Sequence, residues 1–145
     1  MPRWVSEGYA DYAQRFGRDC QLSLREITPA RRGKTSNPAQ WREDEGQRLL
    51  AAIPTDAHVV ALDVAGRQWT SAELASVLQR WLVSGKPVAL LVGGADGLSP
   101  ACLARADEAW SLSDLTFPHG LVRVLLAEQL YRAWSQIHHH PYHRA

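Results

Sequence analysis

The carboxyl-terminal segment HHHPYHRA, residues 138–145, concentrates side chains that can do chemistry. An imidazole takes up or releases a proton near neutral pH, and a guanidinium grips a phosphate through paired hydrogen bonds. The segment could therefore move protons or hold an anion, although the usual fate of a polar chain end is disorder.

The run His138, His139 and His140 also allows a metal-site interpretation. Consecutive residues at a helix end point in different directions, and the sequence spaces no carboxylate or cysteine to join them as ligands. We therefore expect no metal. Positively charged histidines would instead be favourable at a helix carboxyl terminus.

Two loops are further candidates for a binding site. Residues 88–100 read VALLVGGADGLSP, an apolar run that opens into a glycine-rich loop, and residues 111–119 read SLSDLTFPH. A continuous apolar run is typical of a strand covered on both faces, and α/β sheets bind ligands beyond the carboxyl ends of their strands. We expect the two loops to share one pocket.

The glycines do not follow a nucleotide-binding pattern. Gly93, Gly94 and Gly97 come after the second strong strand, with the wrong spacing for a dinucleotide fingerprint, and no phosphate-binding lysine accompanies them. Glycine would let backbone groups approach a flat ligand, but a pair of glycines can equally form a simple tight turn.

Helices and strands alternate along the chain. Helical periodicity extends over residues 4–16 with Gly17 as a stop, from Asn37 and Pro38 to residue 53, over 71–84 between a capping box at 70–73 and a stop at Gly85, from Ser99, and over 121–138. The apolar face of the helix after Pro38 includes Trp41 and Leu49, and the closing helix carries more large apolar surface, at Leu130, Tyr131, Trp134 and Ile137, than one subunit is expected to cover. Residues 21–27, 58–64, 88–92 and 110–112 read as strands. This order predicts an α/β fold with a mostly parallel sheet flanked by helices.

Composition places the chain among globular proteins. Its 145 residues are 46% hydrophobic and 21% charged, which suits one domain over residues 1–145. The net charge of +1 means that contacts to nucleic acid must come from local clusters such as Arg31, Arg32 and Lys34. The two cysteines lack the spacing of metal ligands, which predicts a reduced cytoplasmic protein. No apolar run is long enough to cross a bilayer, so we expect no membrane contact.

Several segments together carry a family resemblance. They are residues 62–63 (LD), 91–98 (LVGGADGL), 111–113 (SLS), 115–119 (LTFPH), 123–124 (RV), 128–134 (EQLYRAW) and 142–144 (YHR). This set resembles the bacterial large-subunit ribosomal RNA pseudouridine N3-methyltransferases of the SPOUT superfamily, over nearly the whole chain. The resemblance implies a carboxyl-terminal trefoil knot, S-adenosylmethionine bound in the knot, an obligate homodimer, and a pseudouridine of 23S rRNA in the assembled ribosome as the substrate.

By position, the resemblance assigns the cofactor pocket to one strand residue and the two loops. Apolar side chains would form the walls for adenine and the glycine loop would supply backbone hydrogen bonds, although leucines alone would read as ordinary core. Asp114 is assigned a backbone contact only. The pocket residues are Leu62, Gly93, Gly94, Leu112, Ser113, Asp114, Leu115, Thr116 and Phe117.

Tyr142, His143 and Arg144 match the carboxyl-terminal motif of the family, which the resemblance places at the active site, beside the partner subunit's cofactor. The N3–H of pseudouridine is a weak acid, so a base must remove its proton as the nitrogen attacks the methyl group. His143 or His119 is the natural base, and Arg144 could stabilise the developing negative oxygen or hold a phosphate. His119 could also be an ordinary loop histidine.

One departure from the family concerns the amino terminus. Members usually begin with a short apolar strand and a glycine turn, whereas here Met1 falls where the first helix is about to start. We expect the first family strand to be missing, through a late start codon or truncation. An uncovered sheet edge would lower stability, while both cofactor loops are present.

Two other classes of function stay open. A catalytically idle module that binds RNA or the ribosome would depend on Arg31, Arg32, Lys34 and Arg144, and not on the loop at Gly93. A general nucleotide-binding protein is the weakest option, because the phosphate-binding lysine is absent. Binding of S-adenosylmethionine separates the methyltransferase from the RNA-binding module.

Overall fold

The computed structural model describes residues 1–29, 37–94 and 96–144, except the side chains of His143 and Arg144. The elements are α1 Arg3–Ala13, α2 Pro38–Ala52, β1 His58–Arg67, α3 Ser71–Ser84, β2 Val88–Leu91, α4 Pro100–Arg105, β3 Glu108–Trp110, α5 His119–Ile137 and a terminal 3₁₀ turn, Pro141–Arg144.

The chain divides into two compact units. The sheet unit comprises Arg25–Gln68 and Lys86–His119, and the helical unit comprises Met1–Leu24, Trp69–Gly85 and Gly120–Ala145. The single domain expected for residues 1–145 stays a prediction.

Three parallel strands in the order β2-β1-β3 form the centre of the sheet unit. Val59, Val60 and Ala61 of β1 are fully buried, and the strand predicted at 58–64 lies at the centre of the described sheet. The strand β2, which was expected to be covered on both faces, is buried only at Leu91. Two boundaries differ from the prediction, since β1 extends to Arg67 and β3 lies two residues upstream of 110–112. The α/β class with a parallel sheet is confirmed.

Helices α2 and α4 belong to the same unit as the sheet. Leu49, Leu50 and Ile53 of the α2 segment pack against a core cluster made of Val59, Ala61, Leu91, Leu98 and Cys102. The two helices approach closely at Gly46, where an added Cβ would collide with the hydroxyl oxygen of Ser99. Both predicted helix starts are confirmed: the Asn37 side chain accepts from Gln40 N at 2.8 Å and Ser99 Oγ from Cys102 N at 3.2 Å.

The helical unit contains α1, α3 and α5. The capping box of Thr70 and Glu73 starts α3, and Gly85 ends it with φ +72°, as predicted. Leu74, Val77, Leu78 and Trp81 of α3 are buried. Beyond the end of α1, the Phe16 ring lies 5.6 Å from the Tyr131 ring and 6.1 Å from the Trp134 ring of α5.

Two expectations about the first quarter of the chain are wrong. Residues 21–27 form no strand, and Leu24, one of their apolar positions, is 47% exposed. Helix α1 ends at Ala13, so Gly17 is not its stop; an added Cβ at Gly17 would lie 3.0 Å from the Trp134 ring instead. Trp4 is 57% exposed, and Val5 is the buried residue of α1.

Both cysteines are free thiols, Cys102 buried and Cys20 half-buried. Among the described residues, no helix combines the length and apolar character needed to cross a bilayer.

Candidate functional site

The parallel strands bring the predicted cofactor residues to one edge of the sheet. Ala61 of β1 pairs with Leu91 of β2 and with Ala109 of β3, and Leu62 pairs with Trp110. Since parallel strands run in the same direction, the loops after β2 and β3 both leave at the carboxyl edge, beside Leu62. The strand register therefore brings both loops to one edge of the sheet, while the pocket that they were expected to share stays a prediction.

The glycine loop after β2 is a tight turn. Gly97 N donates to Gly94 O at 3.1 Å, and Gly97 has φ +80°, a conformation that favours glycine. An added Cβ at Gly93 would lie 2.6 Å from the carbonyl carbon of Gly97 and 2.8 Å from Leu98 N. Gly93 is therefore required by the backbone of its own loop, whether or not a ligand is bound.

The loop after β3 is held by its own serines. Ser111 N donates to Arg67 O at 2.9 Å, Ser111 Oγ donates to Ser113 O at 2.9 Å, and Ser113 Oγ accepts from Leu115 N at 3.0 Å. These bonds fix the backbone over residues 111–115 and leave the Leu115 side chain 68% exposed. An exposed leucine on an ordered loop is apolar area that a flat ligand could cover.

The remaining pocket residues differ in exposure. Leu62, Leu112, Ser113 and Phe117 are half-buried, whereas Thr116 and Asp114 are exposed. The Asp114 carboxylate accepts from Gln68 Nε2 at 2.7 Å, so its side chain braces the loop against the end of β1. This agrees with assigning Asp114 only a backbone role toward a ligand.

Sequence reasoning missed two residues that adjoin these loops. Gln68 binds Asp114, and an added Cβ at Gly94 would lie 3.0 Å from Glu45 Oε2. Glu45 stands four residues from both Trp41 and Leu49 and so shares the helix face predicted to be apolar. A carboxylate on that face was the available signal. Nothing in the sequence pointed to Gln68.

A bulge in β1 lies at the same edge. Leu62 and Arg67 both pair with Trp110, so the four residues between them project out of the ladder. An added Cβ at Gly66 would lie 2.6 Å from the Ala109 carbonyl carbon, which means that only glycine allows the strand to return to β3. The bulge leaves Val64 59% exposed.

Tyr142 anchors the carboxyl-terminal turn within the helical unit. Its hydroxyl donates to Glu128 Oε2 at 2.8 Å and lies 3.3 Å from the Tyr12 hydroxyl, and its ring lies 4.8 Å from the Tyr131 ring. The Arg132 guanidinium lies 5.2 Å from the centre of the Tyr142 ring. Burial, followed by the bonds to Tyr12 and Glu128, raises the pKa of Tyr142, so the phenol stays protonated.

The structure gives fewer contacts for the other predicted active-site residues. His119 is the exposed first residue of α5, and His143 and Arg144 belong to the 3₁₀ turn that contains Tyr142. The basic residues Arg31, Arg32 and Lys34 lie outside the described residues.

The histidine run has a carboxylate neighbour that the sequence analysis did not find. His138 Nε2 lies 2.7 Å from Asp19 Oδ2, although 119 positions separate the two residues. Within the described part of the chain, no group of three or more histidine, cysteine or acidic side chains is arranged to hold a metal ion.

Comparison with known proteins adds the following. The family described as "predicted SPOUT methyltransferase" matches residues 1–143. A protein of Nitrosococcus oceani named ribosomal RNA large subunit methyltransferase H is 59% identical over 145 residues, which cover all of this chain and 92% of the relative. Its namesake in Methylococcus capsulatus is 58% identical over 144 residues, or 99% of this chain and 93% of the relative. With an α/β fold on a parallel sheet and a family match over nearly its whole length, the chain belongs to the SPOUT methyltransferase family.

Proposed function

We propose that this protein transfers a methyl group from S-adenosylmethionine to N3 of a pseudouridine in the 23S rRNA of the assembled ribosome. Relatives that are 58% and 59% identical over nearly their full length bear the name of a large-subunit rRNA methyltransferase, which supports the class of substrate. The observation that carries the proposal is the presence of Leu62, the Gly93 loop and the Ser111 loop at one sheet edge.

The residues at the carboxyl edge fit such a cofactor. Leu62, Leu112 and Phe117 are half-buried and Leu115 is exposed, so apolar side chains are available for an adenine ring. Gly93, Gly94 and Gly97 present backbone groups that no side chain covers from their own residue. When bound, S-adenosylmethionine supplies a methyl group on a positively charged sulfur.

The chain's own contribution would be positioning and proton transfer. His143 would take the N3 proton, with His119 as the second candidate, and Arg144 would stabilise the developing negative charge or hold a phosphate. Tyr142 suits neither the role of a base nor that of a nucleophile. Its raised pKa keeps the hydroxyl protonated, and the hydroxyl donates to Glu128. Tyr142 would therefore hold the tail from which His143 and Arg144 act.

Recognition of the substrate would depend on the shape of the ribosome. A net charge of +1 supplies little long-range attraction for free RNA, so contacts with a large folded particle are the better explanation for selectivity. Arg31, Arg32 and Lys34 would contribute phosphate contacts. The expected setting is the cytoplasm, where ribosomes are found.

We also propose a homodimer, as the family resemblance implies. The uncovered apolar surface expected on the closing helix is smaller than the sequence indicated, because Leu130 and Tyr131 are buried within one chain. Trp4 and Met1, which are 57% and 48% exposed, leave apolar surface at the start of α1. The resemblance, more than the area of this surface, supports the dimer.

Two measurements test the proposed function. Calorimetry should show stoichiometric binding of S-adenosylmethionine, whereas a catalytically idle RNA-binding module would bind none. Mass spectrometry of 23S rRNA from cells lacking the gene should show a pseudouridine without its N3-methyl group, and purified protein with S-adenosylmethionine should restore that group on isolated ribosomes. Unchanged methylation in those cells would contradict the proposal.

A further inference from the structure

The three consecutive histidines have three different structural roles. His138 Nε2 lies 2.7 Å from Asp19 Oδ2, while Asp19 Oδ1 accepts from Trp134 Nε1 at 3.2 Å. The His138 ring also lies 4.4 Å from the Trp134 ring. His138 therefore fastens the last turn of α5 to the segment that follows α1.

His139 turns the chain at the end of α5. It has φ +56°, its N–H donates to Gln136 O at 3.3 Å, and the next N–H, that of His140, donates to Ser135 O at 2.7 Å. These two bonds and the left-handed residue form a Schellman motif. The motif reverses the chain immediately before Pro141, where the tail turn begins.

His140 caps the tail turn. Its Nδ1 accepts from Tyr142 N at 3.2 Å, a bond from a side chain to the backbone two residues ahead that has the geometry of an Asx turn. An imidazole nitrogen accepts a hydrogen bond only when it carries no proton, so this contact requires neutral His140 with its proton on Nε2. The ring lies 6.3 Å from the Tyr131 ring.

Tyr142 is thus held at both ends. His140 binds its backbone N–H, and Glu128 binds its hydroxyl at 2.8 Å while accepting from Arg132 at 2.9 Å. His143 and Arg144 follow directly in the same 3₁₀ turn. A change in the backbone at Tyr142 would therefore move both residues proposed to act on the substrate.

We propose that His140 is a positioning residue for methyl transfer: its Nδ1 fixes the tail turn that carries His143 and Arg144. This inference rests on the proposed function for its catalytic consequence. It assigns His140 no contact with the substrate or the cofactor.

Two substitutions of His140 distinguish the effect of its hydrogen-bond acceptor from the effect of its aromatic ring. His140→Asn keeps an acceptor at the position of Nδ1 and cannot be protonated, whereas His140→Phe keeps an aromatic ring and removes the acceptor. His139→Asn is the matched control, because asparagine tolerates the left-handed conformation and His139 is exposed. Each full-length variant is compared with the wild type for methyl transfer to ribosomes, S-adenosylmethionine affinity and hydrogen exchange at the Tyr142 amide.

At pH 8 we expect His140→Phe to lower kcat about 3- to 10-fold and to speed exchange of the Tyr142 amide by a similar factor, the loss of one net hydrogen bond. S-adenosylmethionine affinity should be unchanged, and His140→Asn and His139→Asn should both resemble the wild type. Rescue by His140→Asn but not by His140→Phe would show that the acceptor, and not the ring, positions the turn.

Equal losses of rate in His140→Asn and His140→Phe would overturn the inference. So would full activity and an unchanged Tyr142 amide in His140→Phe. If the wild type methylates no ribosomes, the proposed function fails, and amide exchange at Tyr142 still decides whether His140 caps the turn.

Discussion

At the scale of single residues, the structure separates side chains that build the candidate pocket from those that are free to meet a ligand. Gly93 is required by the close approach of Gly97, and Ser111 and Ser113 hold the second loop together. Leu115 is 68% exposed. Substituting a residue of the first kind would change the fold and the binding together, so Leu115 is the better probe of the pocket.

Leu115→Ser should leave the melting temperature unchanged and weaken S-adenosylmethionine binding about tenfold. The reason is that an exposed leucine adds little to the folded core, whereas covering it with a ligand contributes about 1.5 kcal/mol. Calorimetry and thermal unfolding measure both effects. Leu103→Ser, a change at another exposed leucine of the sheet unit, is the control and should alter neither quantity.

The Tyr142 hydroxyl gives a second prediction at this scale. Its pKa is raised above 10.0 in the folded protein, so the protonated hydroxyl stabilises the fold at every pH below about 10, and this contribution is lost as the pH rises further. Tyr142→Phe should cost about 1 kcal/mol at pH 8, the worth of one hydrogen bond, and the difference from the wild type should shrink above pH 10. Urea unfolding between pH 8 and 11 measures it.

Tyr9→Phe serves as the control at pH 8. The Tyr9 hydroxyl is buried and has no hydrogen-bond partner among the described residues, so its removal should cost close to nothing. Comparable losses in Tyr9→Phe and Tyr142→Phe would mean that the bond to Glu128 adds no stability.

At the scale of secondary structure, helix ends were the most predictable feature. Asn37, Thr70 with Glu73, Gly85 and Ser99 all act as the sequence indicated, because capping depends on residues within one turn of each other. The strand expected at residues 21–27 was wrong, because alternation over a few residues does not reveal whether a partner strand exists. The bond between His138 and Asp19 could not be predicted from the sequence for a similar reason, since only the folded chain brings the two residues together.

The end of α5 supplies a prediction about one element. His139 occupies a left-handed position that glycine adopts without strain, so His139→Gly should raise the free energy of unfolding by about 1 kcal/mol. Gly85→Ala makes the opposite change at another left-handed position. Gly85 has φ +72° and nothing lies within 4 Å of an added Cβ, so we expect the free energy of unfolding to fall by a similar amount. Thermal unfolding compares the two, and a destabilised His139→Gly would show that the imidazole makes contacts worth more than the strain.

At the scale of the whole molecule, the residues assigned to the cofactor and those of the tail belong to different compact units. The nine residues assigned to the cofactor and His119 belong to the sheet unit, whereas Tyr142, His143 and Arg144 belong to the helical unit. Sequence patterns predicted the two loops after strands, but the assignment of individual residues, the trefoil knot and the dimer come from the resemblance and remain predictions. Local periodicity carries no information about how a chain is threaded or paired.

The division between units allows binding and chemistry to be separated by truncation. Deleting residues 143–145 keeps Tyr142, with its bonds to His140 and Glu128, and removes the two candidate catalytic side chains. Because every assigned cofactor residue belongs to the other unit, S-adenosylmethionine affinity, unfolding free energy and sedimentation behaviour should match the wild type. Methyl transfer to ribosomes should fall by about 10²-fold or more, the usual effect of losing a general base.

His143→Ala should lower the rate and change its pH profile, whereas Arg144→Ala should weaken ribosome binding or the rate and leave that profile in place. If the truncated protein still methylates ribosomes at the wild-type rate, His119 becomes the candidate for the base.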